Sequence, residues 1–209
     1  MISNLQASRE AGKLQKNWDF NKLVTQEHVD EIINVATNMP TKQNRDYYQL
    51  VASTDIKFNR QVYDIATIDP SSLHFNKHSP NSQVTAPLLL MYFATNLDNE
   101  EIRDEYEEQF FTSIGISSGA AALHSASLGY KTGFCACVRW NELHELLKEK
   151  ITLKIKPKIA HGVLLGIGHA LTKNIGGYIP TRSDVIVDDK LIVKSKVGPS
   201  KNIKVYNIQ

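Results

Sequence analysis

Long apolar runs are scarce in this sequence. The longest, Ala86 to Ala94, has nine residues, whereas a helix that crosses a bilayer needs about 20. That shortage excludes a helical membrane span. The stretch Met1 to Trp18 holds no apolar segment of the kind a secretory leader carries. The expectation is a soluble, cytoplasmic protein. Cysteine is scarce too, with only Cys135 and Cys137. Thiols two residues apart bridge poorly, so no structural disulfide is expected, in keeping with a reducing compartment. A lone Cys-x-Cys without a second pair is not a zinc pattern. One-sided charge is also missing: 24 basic residues face 22 acidic ones, for a net charge of +2. Without a dense basic run, nucleic acid is not an expected partner.

Several catalytic signatures are absent as well. The sequence has no GxGxxG, Walker loop or HExxH. Gly166-Ile-Gly168 lacks the third glycine of a dinucleotide fingerprint. The seven histidines are scattered. His74 and His78 have metal-ligand spacing only on a helix, which Ser79-Pro80 argues against. No metal is therefore expected. His124 and His161 read as residues satisfied by neighbours.

What the sequence does contain is a stretch of small residues, Ile114 to Cys137 (IGISSGAAALHSASLGYKTGFCAC). Its first half predicts a central helix slim enough for another backbone or a flat ligand to approach. Such a helix is expected to be buried on more than one side. Gly129 suits a left-handed helix end, and Lys131 to Cys137 reads as a strand that sets both cysteines on one face. Upstream, Thr25 opens a helix with Val29, Ile32, Ile33 and Ala36 on one face, stopped by Pro40. A polar loop, Pro40 to Asp46, leads into a strand from Tyr47 to Ser53. Asp55 caps a helix carrying Phe58, Val62 and Ile65. Asp69 to Gln83 is a long Pro/Ser/Asn/His loop. Ala86 to Ala94, apolar on both faces, predicts a central strand. Asp98 caps an acidic helix that bends or runs on into the small-residue helix. Asn141 is expected to cap a helix with Leu143, Leu146 and Leu147 inward, and Ile159 to Ile167 is a further strand. Short strand-like pieces close the chain. The whole, 1–209, reads as one domain with an N-terminal arm (1–23) and a C-terminal extension (179–209).

Five of these segments, in order, resemble the nitroreductase superfamily of FMN enzymes. They are Val24 to Ile33; Pro40-Thr-Lys-Gln-Asn44 with Tyr48; Ala86 to Leu90; Gly119 to Leu123 through Leu128-Gly-Tyr-Lys-Thr-Gly-Phe-Cys135; and Val163 to Gly168, with Thr181-Arg182 beyond. The resemblance implies an α+β fold: a mixed, mainly antiparallel sheet surrounded by helices. It also implies a homodimer whose C-terminal extension reaches the partner, with FMN at the subunit interface. Electrons would pass from NAD(P)H through flavin N5 to a nitroaromatic, quinone or similar small-molecule acceptor. Lys13, Lys16 and Arg182 would hold the phosphate. Thr41, Lys42, Gln43 and Asn44 would meet the ribityl chain and pyrimidine edge. Backbone amides in Phe134, Cys135, Ala136 and Cys137 would lie near N5. No catalytic side chain is nominated, because the flavin carries the chemistry.

The sequence departs from the family in three places, one of them Asp46, where the family often has glutamine. Lysines stand where the family's opening arginines usually are. Phe134-Cys-Ala-Cys137 replaces a Glu-Gly pair. Two other readings stay open: a flavin-binding or storage protein of the same fold without turnover, and an interaction protein with no cofactor.

Overall fold

The structure is a computed structural model. It describes residues 2–12, 17–41, 44–45, 47–66, 81–94, 100–148 and 162–171, with backbone alone at 94 and 100–107. Short polar side chains start the early helices. Ser3 accepts from the Gln6 amide at the head of α1 (Asn4–Ala11), and Thr25 from His28 at the head of α2 (Gln26–Thr37). Asp55 accepts from Lys57 and Phe58 at the head of α3 (Ile56–Ile65). Each such cap satisfies donors that the first helical turn leaves open. The apolar face of α2 is as expected: Val29, Ile32 and Ala36 are buried. This helix stops at Thr37, short of Pro40.

Four strands form one sheet in the order β1-β2-β4-β3: β1 (Tyr48–Ser53), β2 (Leu88–Ala94), β3 (Lys131–Cys135) and β4 (Gly162–Gly168). Every pairing among the described strands is antiparallel. The apolar run does become a central strand, with Leu88 to Phe93 fully buried. Burial on both faces explains why it does not alternate in polarity. On one face Leu89, Met91, Phe93 and Leu164 pack with Phe58 and Val62 of α3 and with Leu143 and Leu147 of α5 (Trp140–Lys148). On the other, Leu88, Leu90, Tyr92, Leu165 and Ile167 pack with Ile32, Ile114, Ala121 and Ala122.

The acidic and small-residue segments are one helix, α4 (Glu100–Ser127), of 28 residues and about 42 Å long at 1.5 Å per residue. Phe110, Ser113, Ile114, Ser117, Ser118, Ala121, Ala122, Ser125 and Ala126 recur at helical spacing and are buried. The remaining face is open, contrary to the expectation of burial on more than one side. Phe111, Ile116 and Leu123 are 47%, 43% and 41% exposed. Gly115 and Gly119 between them meet nothing within 4 Å. The small residues let α4 lie close to α2, where Ser117 donates to the Ala36 carbonyl at 2.6 Å. Gly129, at φ 92°, ends the helix in the left-handed region. The amides of Gly129 and Tyr130 turn back to the carbonyls of Ala126 and Ser125, as that terminating turn requires.

Two expectations need correction. The strand after α4 ends at Cys135, so Cys137 lies beyond it and the two thiols do not share a strand face. Neither cysteine is in a disulfide. The helix α5 begins at Trp140, and the Arg139 carbonyl takes its first bond, from Leu143. Asn141 is therefore inside the helix and is not its cap. The C-terminal pieces, and the extension at 179–209, lie outside the described residues.

Candidate functional site

The corner that follows β3 is pinned from several sides. The Gln83 side chain donates through Nε2 to the Phe134 carbonyl at 3.1 Å. The Cys135 thiol donates to the Cys137 carbonyl at 3.6 Å. The Val138 amide bonds to the Ala136 carbonyl, and the Arg139 amide to Ile65. Cys135 is buried, Cys137 half-buried, and Phe134 and Ala136 exposed. The N–H groups of Ala136 and Cys137 find no acceptor among the described residues. Unpaired donors at an exposed corner are free to meet a ligand.

The second group is the loop before β1. Its approach is fixed because the Ala36 carbonyl, near the end of α2, accepts from Tyr48 Oη at 2.6 Å as well as from Ser117. The loop then folds on itself. Thr41 Oγ1 donates to the Arg45 carbonyl at 2.8 Å, and the Asn44 amide to the Thr41 carbonyl at 3.1 Å. Asn44 sits at φ 53°. Asparagine tolerates this left-handed geometry better than bulkier residues do. The result is a tight turn that leaves Asn44 exposed.

Sheet register decides how these two groups relate. Tyr48 pairs with Ala94, and Phe93 with Gly162. Cys135, pairing with Leu164, runs toward that same end. Loop and corner therefore share one end of the sheet. They sit on opposite edge strands, however, separated by three strand spacings, or about 14 Å. A single chain does not bring Thr41 and Asn44 against Phe134 to Cys137. Lys13, Lys16, Lys42, Gln43 and Arg182, like His74, His78 and His161, lie outside the described residues.

The described residues flanking 13–16 are well anchored. Lys131 pairs with Glu10, and Thr132 Oγ1 donates to the Ala11 carbonyl at 3.4 Å, tying α1 to β3. Trp18, 2% exposed, donates from Nε1 to the Ser82 carbonyl at 3.0 Å and pairs with Ala170 beside the end of β4.

Other polar clusters are structural. His28 Nδ1 meets Tyr130 Oη at 2.7 Å, and the Tyr130 ring lies 4.9 Å from that of His169. Burial, then nearby Lys22, lowers the His169 pKa, with Asp19 opposing. This cluster stands at the far end of the sheet from the corner. His124 Nε2 lies 2.9 Å from the Glu31 carboxylate, joining α4 to α2. An open groove of about 690 Å³ between α3 and α5 presents Asp64, Glu142 and Glu145. Glu142 and Glu145 are already paired with Arg139 and Lys148. Among the described residues no group of three or more His, Cys, Asp or Glu could hold a metal, and no helix is long and apolar enough to cross a membrane.

One corner residue escaped the sequence reading. The composition puts Gln83 at the end of a long loop. In fact it lies in a short 3₁₀ turn, Ser82–Thr85, whose residues are all buried. The available signal was its position next to Val84 and the apolar strand, where a glutamine must find partners indoors.

No protein-family description and no curated protein matches the chain. Solved structures do. A nitroreductase with bound FMN from Bacteroides fragilis NCTC 9343 is 10% identical, with a TM-score of 0.65 over 99% of this chain and 100% of that one. The hypothetical oxidoreductase YcnD from Bacillus subtilis is 19% identical, at 0.63 over 92% and 76%. A nitroreductase family protein from Clostridium novyi NT is 17% identical, at 0.61 over 93% and 94%. The chain thus has the nitroreductase fold, an α+β architecture with a mainly antiparallel sheet enclosed by helices.

Proposed function

We propose that this chain is an FMN-dependent oxidoreductase. It would act as a homodimer whose two flavin sites are each built from both subunits. The single observation carrying this reading is the pair of open backbone donors at Ala136 and Cys137, on a corner of the nitroreductase fold. FMN bound there would accept electrons from NADH or NADPH at N5 and release them to a nitroaromatic, quinone or similar small molecule. The chain's own residues would bind and orient. The corner amides would donate toward N5, where donors favour the reduced ring's added charge. The turn at Thr41 to Asn44, with Lys42 and Gln43, would serve the ribityl chain and pyrimidine edge. Lys13, Lys16 and Arg182 would neutralise the phosphate.

The register argument supports the dimer: a ligand held closely between loop and corner would take the loop of one chain and the corner of another. The open stripe on α4 supplies an apolar surface for that pairing. The 179–209 extension would reach across to the partner, as in an exchanged symmetric dimer.

The purified protein is expected to be yellow. Under anaerobic conditions NADH or NADPH should bleach the flavin bands within the mixing time of a manual assay, and a quinone should restore them. Yellow protein that stays oxidised would instead favour a flavin-storage role. One feature points that way: Phe134-Cys-Ala-Cys137 stands where the family resemblance implies a Glu-Gly pair. Protein that is colourless even after FMN is supplied would leave an interaction protein of the same fold.

A further inference from the structure

We propose that Gln83 is a positioning residue, which sets the direction in which the corner presents its backbone donors. The inference rests on the flavin reading for the identity of the ligand, but not for its geometry. Among the described strands β3 is an edge strand, with β4 on one side only. In an antiparallel strand successive residues turn their N–H and C=O groups to opposite sides. The Phe134 carbonyl bonds to Gln83 and so faces away from β4. Cys135 therefore faces β4, and the Ala136 N–H, opposed to the Cys135 carbonyl across one peptide, faces outward again. With Cys135 paired to Leu164, holding the Phe134 carbonyl restrains the side from which the Ala136 amide projects.

Gln83 is itself held rigidly. Its backbone carbonyl lies against β4 at Gly166, where an added Cβ would sit 1.9 Å from that oxygen. The facing residue on β3, Gly133, also lacks a side chain, so the 3₁₀ turn rests directly on the sheet. Ser82, beside it, accepts from Trp18 Nε1 and Thr85 Oγ1 through its carbonyl. Asn81 donates to the Ala66 carbonyl at 2.6 Å. Gln83 is 4% exposed, and its Oε1 has no partner among the described residues. A buried acceptor left unpaired costs stability. An apolar side chain of the same length would avoid that cost, but it would lose the donor that holds Phe134.

The test compares the wild type with Gln83→Met, which keeps length and removes the donor. Gln83→Glu is the second variant should the first not fold. Amide hydrogen exchange on the apoprotein is expected to speed up about fivefold at Val138, whose bond to the Ala136 carbonyl closes the corner, the scale of one net hydrogen bond, and to stay unchanged at Leu164 to Ile167. FMN affinity, read by fluorescence quenching, should fall about fivefold or more, and the flavin reduction potential should drop. Unchanged exchange at Val138 overturns the proposal. So does a lowered melting temperature with unchanged affinity and potential, which would make Gln83 a mere cap on an edge strand. If wild-type protein takes up no FMN, the flavin reading fails, and the exchange comparison still decides what Gln83 does.

Discussion

Gly166→Ala is expected to lower stability by about 3 kcal/mol or more, the upper range for overpacking a core. The added methyl would lie 1.9 Å from the Gln83 carbonyl oxygen and 2.9 Å from the Ala86 Cβ. The oxygen belongs to a backbone whose 3₁₀ turn is buried throughout, so no flexible side chain can give way. For a chain of 209 residues each kcal/mol shifts the melting temperature by roughly 2–4 °C. A fall of roughly 10 °C in a thermal melt followed by circular dichroism is therefore expected. A melting temperature within 2 °C of wild type would show that the turn does not press on the sheet. That result would also remove the basis for holding Gln83 rigid.

Gly166 illustrates what the sequence makes legible and what it does not. Local signals were readable. The Thr25 cap, the α2 face of Val29, Ile32 and Ala36, the two-faced strand at Leu88 to Phe93, and the left-handed Gly129 all depend on nearby residues. Gly166, by contrast, invited comparison with a phosphate-binding glycine motif. Its role is steric and comes from a turn more than 80 positions away, which no spacing rule reveals. The same holds for Gln83, whose partner is Phe134. Asn141 looked like a cap because of its residue type, but the Arg139 carbonyl had already begun the helix. The corner and the Asn44 loop were both recognisable from sequence. That they stand on opposite edges follows from strand order β1-β2-β4-β3, a long-range property.

Placing arginines on the open face of α4 should separate subunit pairing from folding. Phe111, Gly115 and Gly119 recur every fourth residue, with Ile116 and Leu123 beside them. Nothing lies within 4 Å of a Cβ added at either glycine. The double variant Gly115→Arg, Gly119→Arg therefore meets no clash within its own chain, and arginine favours helix over glycine. Its melting temperature as an isolated chain should not fall. In a dimer closed by this stripe, two unpaired guanidinium groups per chain would lose their water. Association should weaken about 100-fold or more, equivalent to about 2.7 kcal/mol. Light scattering behind a sizing column should then report a folded monomer, and flavin absorbance should leave with the dimer. A variant that remains dimeric and yellow would place the interface elsewhere.

The most direct measurement mixes two differently disabled chains. One carries Thr41→Ala with Asn44→Ala, which removes two of the loop's polar side chains. The other carries Ala136→Pro, which removes an outward corner amide. Each alone is expected to form a dimer that binds little or no FMN. If every site combines the loop of one subunit with the corner of the other, a mixed dimer has one site with both halves intact and one with both disabled. After unfolding and refolding together, the separated mixed dimer should hold one flavin, half the wild-type content. Mixed dimers that stay colourless would place both halves on the same chain and contradict the shared site.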